Sequence, residues 1–173
     1  KYFKEKGVSA LTLSCNHVAL KTKVIGANEY EGHFAFDLLY NNTSDIEPEV
    51  LSTDTHGTNQ VNFAILDLFG YKFAPRYARL KKVFGELFDV VKNNDKDPFI
   101  HLKRPINRKL IIEEWDEIQR IICSLSRKTI TQATLIQKLS TFSSTNRTLA
   151  ALREYDQLIK VNYILHYIDD HSL

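Results

Sequence analysis

One stretch constrains this chain more than any other: Glu49-Val50-Leu51-Ser52-Thr53-Asp54-Thr55-His56-Gly57. Pro48 opens it, and the Val and Thr residues of Glu49–Thr53 suit an extended strand. Gly57 and Asn59 break that pattern. From Val61 the apolar residues Val61, Ala64, Ile65, Leu68 and Phe69 recur at helical spacing, so the stretch reads as strand, acid, turn, helix. A carboxylate at the end of a strand suits a hard divalent cation, which binds charged oxygens. The same Asp54 also suits an ordinary helix cap, because a side-chain oxygen there accepts from the free N–H groups of the first turn.

The surrounding segments predict more of the same architecture. Val8–Leu13 alternates like a strand and His17–Ile25 offers a second, with Cys15-Asn16 as a tight connection, so the pair reads as a hairpin. Glu31–Tyr40 carries an amphipathic helix marked by Phe34 and Leu38. Asn59–Phe69 forms the helix after the acid, closed by Gly70 as a C-terminal cap. Tyr71–Ala74 is another short strand, and Arg76–Asp89 a basic helix with Leu80, Val83, Phe84, Leu87 and Phe88 on its apolar side. Lys92–Pro98 is the most loop-like segment, and Phe99–Leu102 a short strand. From Glu113 the chain reads as helical: Ile111, Trp115, Ile118 and Ile122 share a face, and helices follow over Thr131–Phe142, Thr145–Ile159 and Val161–Ile168. Hairpin, helix, strand, helix, strand is the order of the later part of a ribonuclease-H-like α/β sheet, in which parallel strands need helices between them. The expected organisation is a partial ribonuclease-H-like core over 1–91, a connection over 92–112 and a helical region over 113–173.

Charge is distributed unevenly although the net is only +2. From Glu29 to Asp54 there are seven acids and no Lys or Arg, whereas Arg76 to Lys109 holds ten bases and four acids, a local net of +6. An acidic rim beside a basic stretch suits an enzyme that holds cations and backbone phosphate side by side. Solvated faces give the same pattern, and on charge alone that is the reading to favour. Arg76, Arg79, Lys81 and Lys82 are the best candidate DNA contacts, since they follow a strand end near Asp54. Lys103, Arg104, Arg108 and Lys109 form a second cluster. His56 is a candidate proton shuttle or supporting partner of Asp54, or a polar turn residue. Tyr71 and Tyr77 offer either stacking rings or core side chains. The remaining histidines share no ligand spacing, and no CxxC, HExxH, GxxxxGK or GxSxG pattern is present. Two cysteines, Cys15 and Cys123, make no disulfide framework, and no signal peptide or membrane-length apolar run occurs, which points to a reducing cytoplasm.

Ser52-Thr53-Asp54-Thr55-His56-Gly57, Val61-Asn62-Phe63-Ala64, Leu68-Phe69-Gly70-Tyr71 and Phe73-Ala74-Pro75-Arg76 together resemble the catalytic region of the replicative transposases of class II transposons, the Tn-three family. Gly7–Leu13, Asp37–Asn41, Trp115–Ile118, Lys138-Leu139 and Ala151–Glu154 extend the resemblance along nearly the whole chain in order. It implies a DDE active site on a ribonuclease-H-like fold, with Asp54 as the second acid and a ligand of Mg2+ or Mn2+, and Thr55 and His56 beside it. It implies an enzyme that nicks transposon ends and joins them to target DNA, acting as a homodimer on bacterial, nucleoid-associated DNA. A non-catalytic DNA-binding or assembly module is the alternative. The chain starts at Lys1 and contains no Met, as expected of an internal piece. On the family's pattern the first Asp then falls before Lys1 and the Glu after Leu173, so the piece alone is expected to be inactive. Glu113, Glu114 and Glu154 precede the position of that Glu and take no such role.

Overall fold

The computed structural model describes residues 7–89, 103–141 and 146–169. The predicted hairpin forms: β1 (Val8–Cys15) pairs antiparallel with β2 (Val18–Gly26). Its two-residue turn is Asn16-His17, both at positive φ (48° and 65°), one position later than the expected connection. Paired positive φ values suit the right-handed twist of the flanking strands. The hairpin side chains are exposed or half-buried except for Leu13 and Ile25, which are buried.

The helix expected over Glu31–Tyr40 begins as a 3-10 turn (Glu31–His33) and becomes α1 at Ala35–Tyr40. β3 (Val50–Leu51) and β4 (Lys72–Phe73) then form a parallel pair, and α2 (Asn62–Leu68) connects them. α2 starts three residues later than its spacing predicts. Asn59 explains the delay, because its side chain accepts from Val61 N at 2.8 Å and donates to Gly32 O at 2.8 Å, which fixes the approach as a turn. At the other end Gly70 adopts φ +81°. Its N–H reaches Asp67 O, and that of Tyr71 reaches Leu66 O, both at 2.9 Å. That is the paired closure that a left-handed glycine allows.

The basic helix expected over Arg76–Asp89 shrinks to α3, Leu80–Phe84. Two hydrogen bonds hold the preceding residues extended: Arg76 N to Thr53 O at 2.8 Å and Ala78 N to Thr55 Oγ1 at 3.2 Å. The predicted apolar set still packs together apart from Phe88, since Val83 and Leu87 join Val161 and Ile164 in a small second core flanked by Leu80 and Phe84, while Phe88 lies under the Arg104 guanidinium. After residue 102 the chain pairs Lys103–Ile106 with Leu87–Asp89 and enters α4 (Arg108–Glu113), α5 (Trp115–Ser126), α6 (Gln132–Thr141) and α7 (Arg147–Asp169). Helix thus begins five residues before Glu113, capped by Asn107, whose Oδ1 accepts from Leu110 N at 3.1 Å. The two last helices predicted are one, α7, because nothing around Lys160 interrupts the backbone ladder. The expected loop at Lys92–Pro98 and strand at Phe99–Leu102 lie outside the described residues.

The main core is built around α2. Phe63, Ala64, Ile65 and Leu66 are at most 2% exposed, and they pack with Phe36, Leu51, Phe73, Ile118, Leu125, Leu135, Leu149 and Leu152. α2 lies chiefly against α7, so both the early α/β part and the later helices contribute to one apolar interior. Among the described residues the two strand pairs remain separate two-stranded sheets, and the molecule is mixed α/β.

Candidate functional site at the ends of the parallel strands

Asp54 sits just beyond β3. Burial alternates there: Leu51 is buried, Thr53 half-buried, and Val50, Ser52 and Asp54 exposed. β4 alternates in step, with Phe73 and Pro75 buried and Lys72 and Arg76 exposed. The parallel ladder continues past the strands proper through Lys72 N to Glu49 O (2.9 Å), Ala74 N to Leu51 O (2.8 Å) and Arg76 N to Thr53 O (2.8 Å). This register sets Asp54 beside Arg76 on the solvent face, at the carboxyl ends of neighbouring parallel strands. Ligands of open α/β sheets bind at such ends.

The cap reading and the ligand reading of Asp54 turn out to be compatible. Its Oδ1 accepts from His56 N at 3.0 Å and Gly57 N at 3.1 Å, capping the 3-10 turn Thr55–Gly57. Its Oδ2 takes no hydrogen bond among the described residues, and Asp54 as a whole is exposed. Thr55 has a structural role, since its hydroxyl donates to Arg76 O (3.3 Å) and accepts from Ala78 N (3.2 Å), tying the acid's turn to the segment after β4. His56 serves the turn through its backbone N–H, and its exposed ring bonds to nothing among the described residues. Gly57 is required by close approach, since a Cβ there would lie 2.5 Å from Thr53 Cβ.

Arg76, Arg79, Lys81 and Lys82 are all exposed and make no ion pair among the described residues. Arg79 caps α3 through its carbonyl, and Lys81 and Lys82 stand on that helix. Tyr77 and Tyr71 pack into the two cores. In the second basic cluster Arg104 clamps Glu154 with both terminal nitrogens, and Glu154 also accepts from Asn107 N at 2.9 Å. Glu113 and Glu114 pair with Arg147. These three acids are thus engaged in ion pairs. No group of three or more His, Cys, Asp or Glu side chains able to hold a metal occurs among the described residues. Asp54 can therefore offer a cation one hard oxygen donor, Oδ2, and further donors must come from beyond those residues.

A buried polar network lies behind the turn, and nothing in the sequence pattern signals it. Asn62 donates to Gly57 O at 2.9 Å and to Gly32 O at 3.0 Å. Gln132, from α6, donates to Asn62 Oδ1 and accepts from Phe36 N at 2.9 Å. Asp37 accepts from Gln132 N through both oxygens, at 2.9 and 3.1 Å, while burial pushes its pKa up. A lone Asn and Gln inside apolar helices carry no periodic signal. Nor does Asp156, fully buried on α7, whose Oδ1 accepts from Ala64 N at 3.2 Å near the start of α2. Burial raises its pKa to about 7, opposed by hydrogen bonds from the Ala64 and Phe63 backbone and by the nearby Lys160 charge.

Comparison with known proteins addresses the whole chain. The family model described as "Tn3 transposase DDE domain" matches residues 1–173. The chain is 32% identical over 153 residues to the transposase for transposon Tn1546 of Enterococcus faecium, covering 88% of the chain and 15% of that protein. It is 31% identical over 187 residues to the transposase for Tn2501 of Escherichia coli (100% and 17%), and 27% identical over 176 residues to that for Tn501 of Pseudomonas aeruginosa (100% and 18%). The chain thus spans less than a fifth of the length of these relatives. No solved structure is significantly similar, and no helix among the described residues is long and apolar enough to cross a membrane. Residues 1–173 belong to the Tn3 transposase DDE domain family.

Proposed function

We propose that this chain is part of the catalytic region of a DDE transposase that nicks transposon ends and transfers the freed strands into target DNA. The observation that carries this reading is the parallel register that sets an exposed carboxylate, Asp54, beside an exposed guanidinium, Arg76. In it β3, α2 and β4 form a βαβ unit of a ribonuclease-H-like sheet, the core spans 1–91, and 113–173 leads toward a third acid. The relatives are long enough to place the other two acids on either side.

Asp54 is the second acid and would hold Mg2+ or Mn2+ through Oδ2 together with carboxylates from elsewhere in the transposase. Such ions stabilise the attacking and leaving oxygens of an in-line phosphoryl displacement. The chain's own residues position that chemistry. Oδ1 is locked by the His56 and Gly57 N–H groups, which leaves Oδ2 without a hydrogen bond among the described residues. Thr55 fixes the turn relative to Arg76. Arg76 contacts the phosphate backbone, joined by Arg79, Lys81 and Lys82, which orient the strand without reading its sequence. A homodimer would bring two transposon ends together.

Asparagine caps a turn as well as aspartate does but carries no charge for a cation. Asp54→Asn in the full-length transposase should therefore abolish strand transfer while transposon-end binding and melting temperature stay at the wild-type level. Retained transfer refutes the assignment. Transfer that never depended on a divalent ion would leave the chain as a DNA-binding or assembly module.

A further inference from the structure

We infer that a polar cavity between α7 and the loop after the Asp54 turn receives a single unstacked nucleotide of a DNA strand. The inference rests on the DNA-processing reading above and names what this neighbouring surface takes. The cavity has a volume of about 550 Å3, within the range of sites that enclose a small ligand. One wall is Thr58–Gln60, which directly follows the turn that Asp54 caps, so its occupant lies next to the candidate site.

Arg153 on α7 lines this cavity and also a smaller adjoining one of about 370 Å3. It is half-buried, its Nε is out of reach of solvent, and it has no hydrogen bond or ion pair among the described residues. Gln157, one turn further along α7, likewise lines the cavity with a buried Oε1 that has no hydrogen-bond partner among the described residues. Removing a guanidinium and an amide oxygen from water without compensation is unfavourable. Elsewhere in the cavity wall the buried carboxylates are matched, since Glu154 is clamped by Arg104 and Asp156 caps α2 beside Lys160, while Glu86 and Lys103 are exposed. The two unmatched groups are therefore a donor cation and an acceptor, one turn apart. A phosphate satisfies the first and the edge of a base the second. A third feature suits a base: the Arg104 guanidinium lies over the Phe88 ring at 4.1 Å, giving the cavity a planar flank. Lys103, exposed at the rim, adds positive charge where the backbone would enter.

The test uses the full-length transposase and duplexes ending in one unpaired nucleotide, either 2-aminopurine or an abasic residue. 2-Aminopurine brightens on leaving the base stack. With wild-type protein its emission should rise on binding, and the base should improve affinity about tenfold over the abasic end. Arg153→Ala and Gln157→Leu remove no side-chain hydrogen bond among the described residues and should melt like wild type. Each should cancel the rise in emission and reduce the tenfold gain to about twofold or less. No emission rise with wild type, or an unchanged rise in both variants, overturns the proposal. Excess inorganic phosphate that displaces the abasic and 2-aminopurine ends equally overturns it too, because the site would then hold an anion and no base. These outcomes are separable from the fate of the reading beneath them, which stands or falls on Asp54→Asn and on binding to blunt duplex.

Discussion

At the scale of single residues, the turn beyond β3 shows one carboxylate whose capping duty occupies only one of its two oxygens. Asp54 holds its own loop with one oxygen and leaves the other available, which is why cap and ligand are indistinguishable in the sequence. Thr55, unremarked by its residue type, is the tie between the acid and the Arg76 segment. Gly57 is the least replaceable member of the turn. An alanine methyl would overlap Thr53, so Gly57→Ala should lower unfolding free energy in urea by roughly 1–3 kcal/mol, the usual cost of forcing an extra carbon into a packed site. The exposed bases behave differently. Charge reversal at Arg79 and Lys82 touches no ion pair among the described residues, so stability should hold while duplex affinity falls and its salt dependence flattens. Unchanged affinity at low salt would make these residues a solvated face.

At the scale of elements, legibility follows the range of the forces involved. The hairpin, α1, α2, the flanking short strands and the apolar face of α5 are readable because alternation and helical spacing are local signals. Gly70 is readable as a cap because only a left-handed residue closes that helix end. α3 is shorter than its periodicity predicts because the bonds that straighten Arg76–Ala78 come from Thr53 and Thr55, more than twenty residues away. The Asn62–Gln132 pair is invisible in the sequence for the same reason, its partners lying 70 residues apart. Residue type alone picks out Asp54 and the basic cluster, but the register joining them requires the strand pairing itself. The hidden pair supports the Asp54 turn from behind. Gln132→Leu strips Phe36 N of its acceptor and Asn62 of a partner, so it should cost about 1–3 kcal/mol by chemical denaturation.

At the scale of the whole molecule, the α2–α7 packing places an ionisable group at its centre. Asp156 has a pKa of about 7 against an ordinary 3.8, held up by burial. Between those values the folded chain keeps a proton that the unfolded chain has released, so stability falls as pH rises from about 4 to about 7. His33, whose pKa burial lowers, acts in the opposite sense, losing stability as pH falls through its ordinary 6.5. Asp156→Asn keeps an acceptor for Ala64 N–H and removes the titration. The variant should therefore lose less unfolding free energy between pH 5 and pH 7 than wild type, by up to about 1.4 kcal/mol per pH unit in urea titrations at each pH. Equal slopes would show that Asp156 is ionised throughout.

The double grip of the Thr55 hydroxyl has a mechanical consequence. Because it holds the strand-end chain at both Arg76 and Ala78, the tips of β3 and β4 are cross-braced beyond the point where their ladder ends. Any domain movement that tilts one tip must carry the other with it. Carboxylate and guanidinium are thereby held at one fixed spacing by the chain itself.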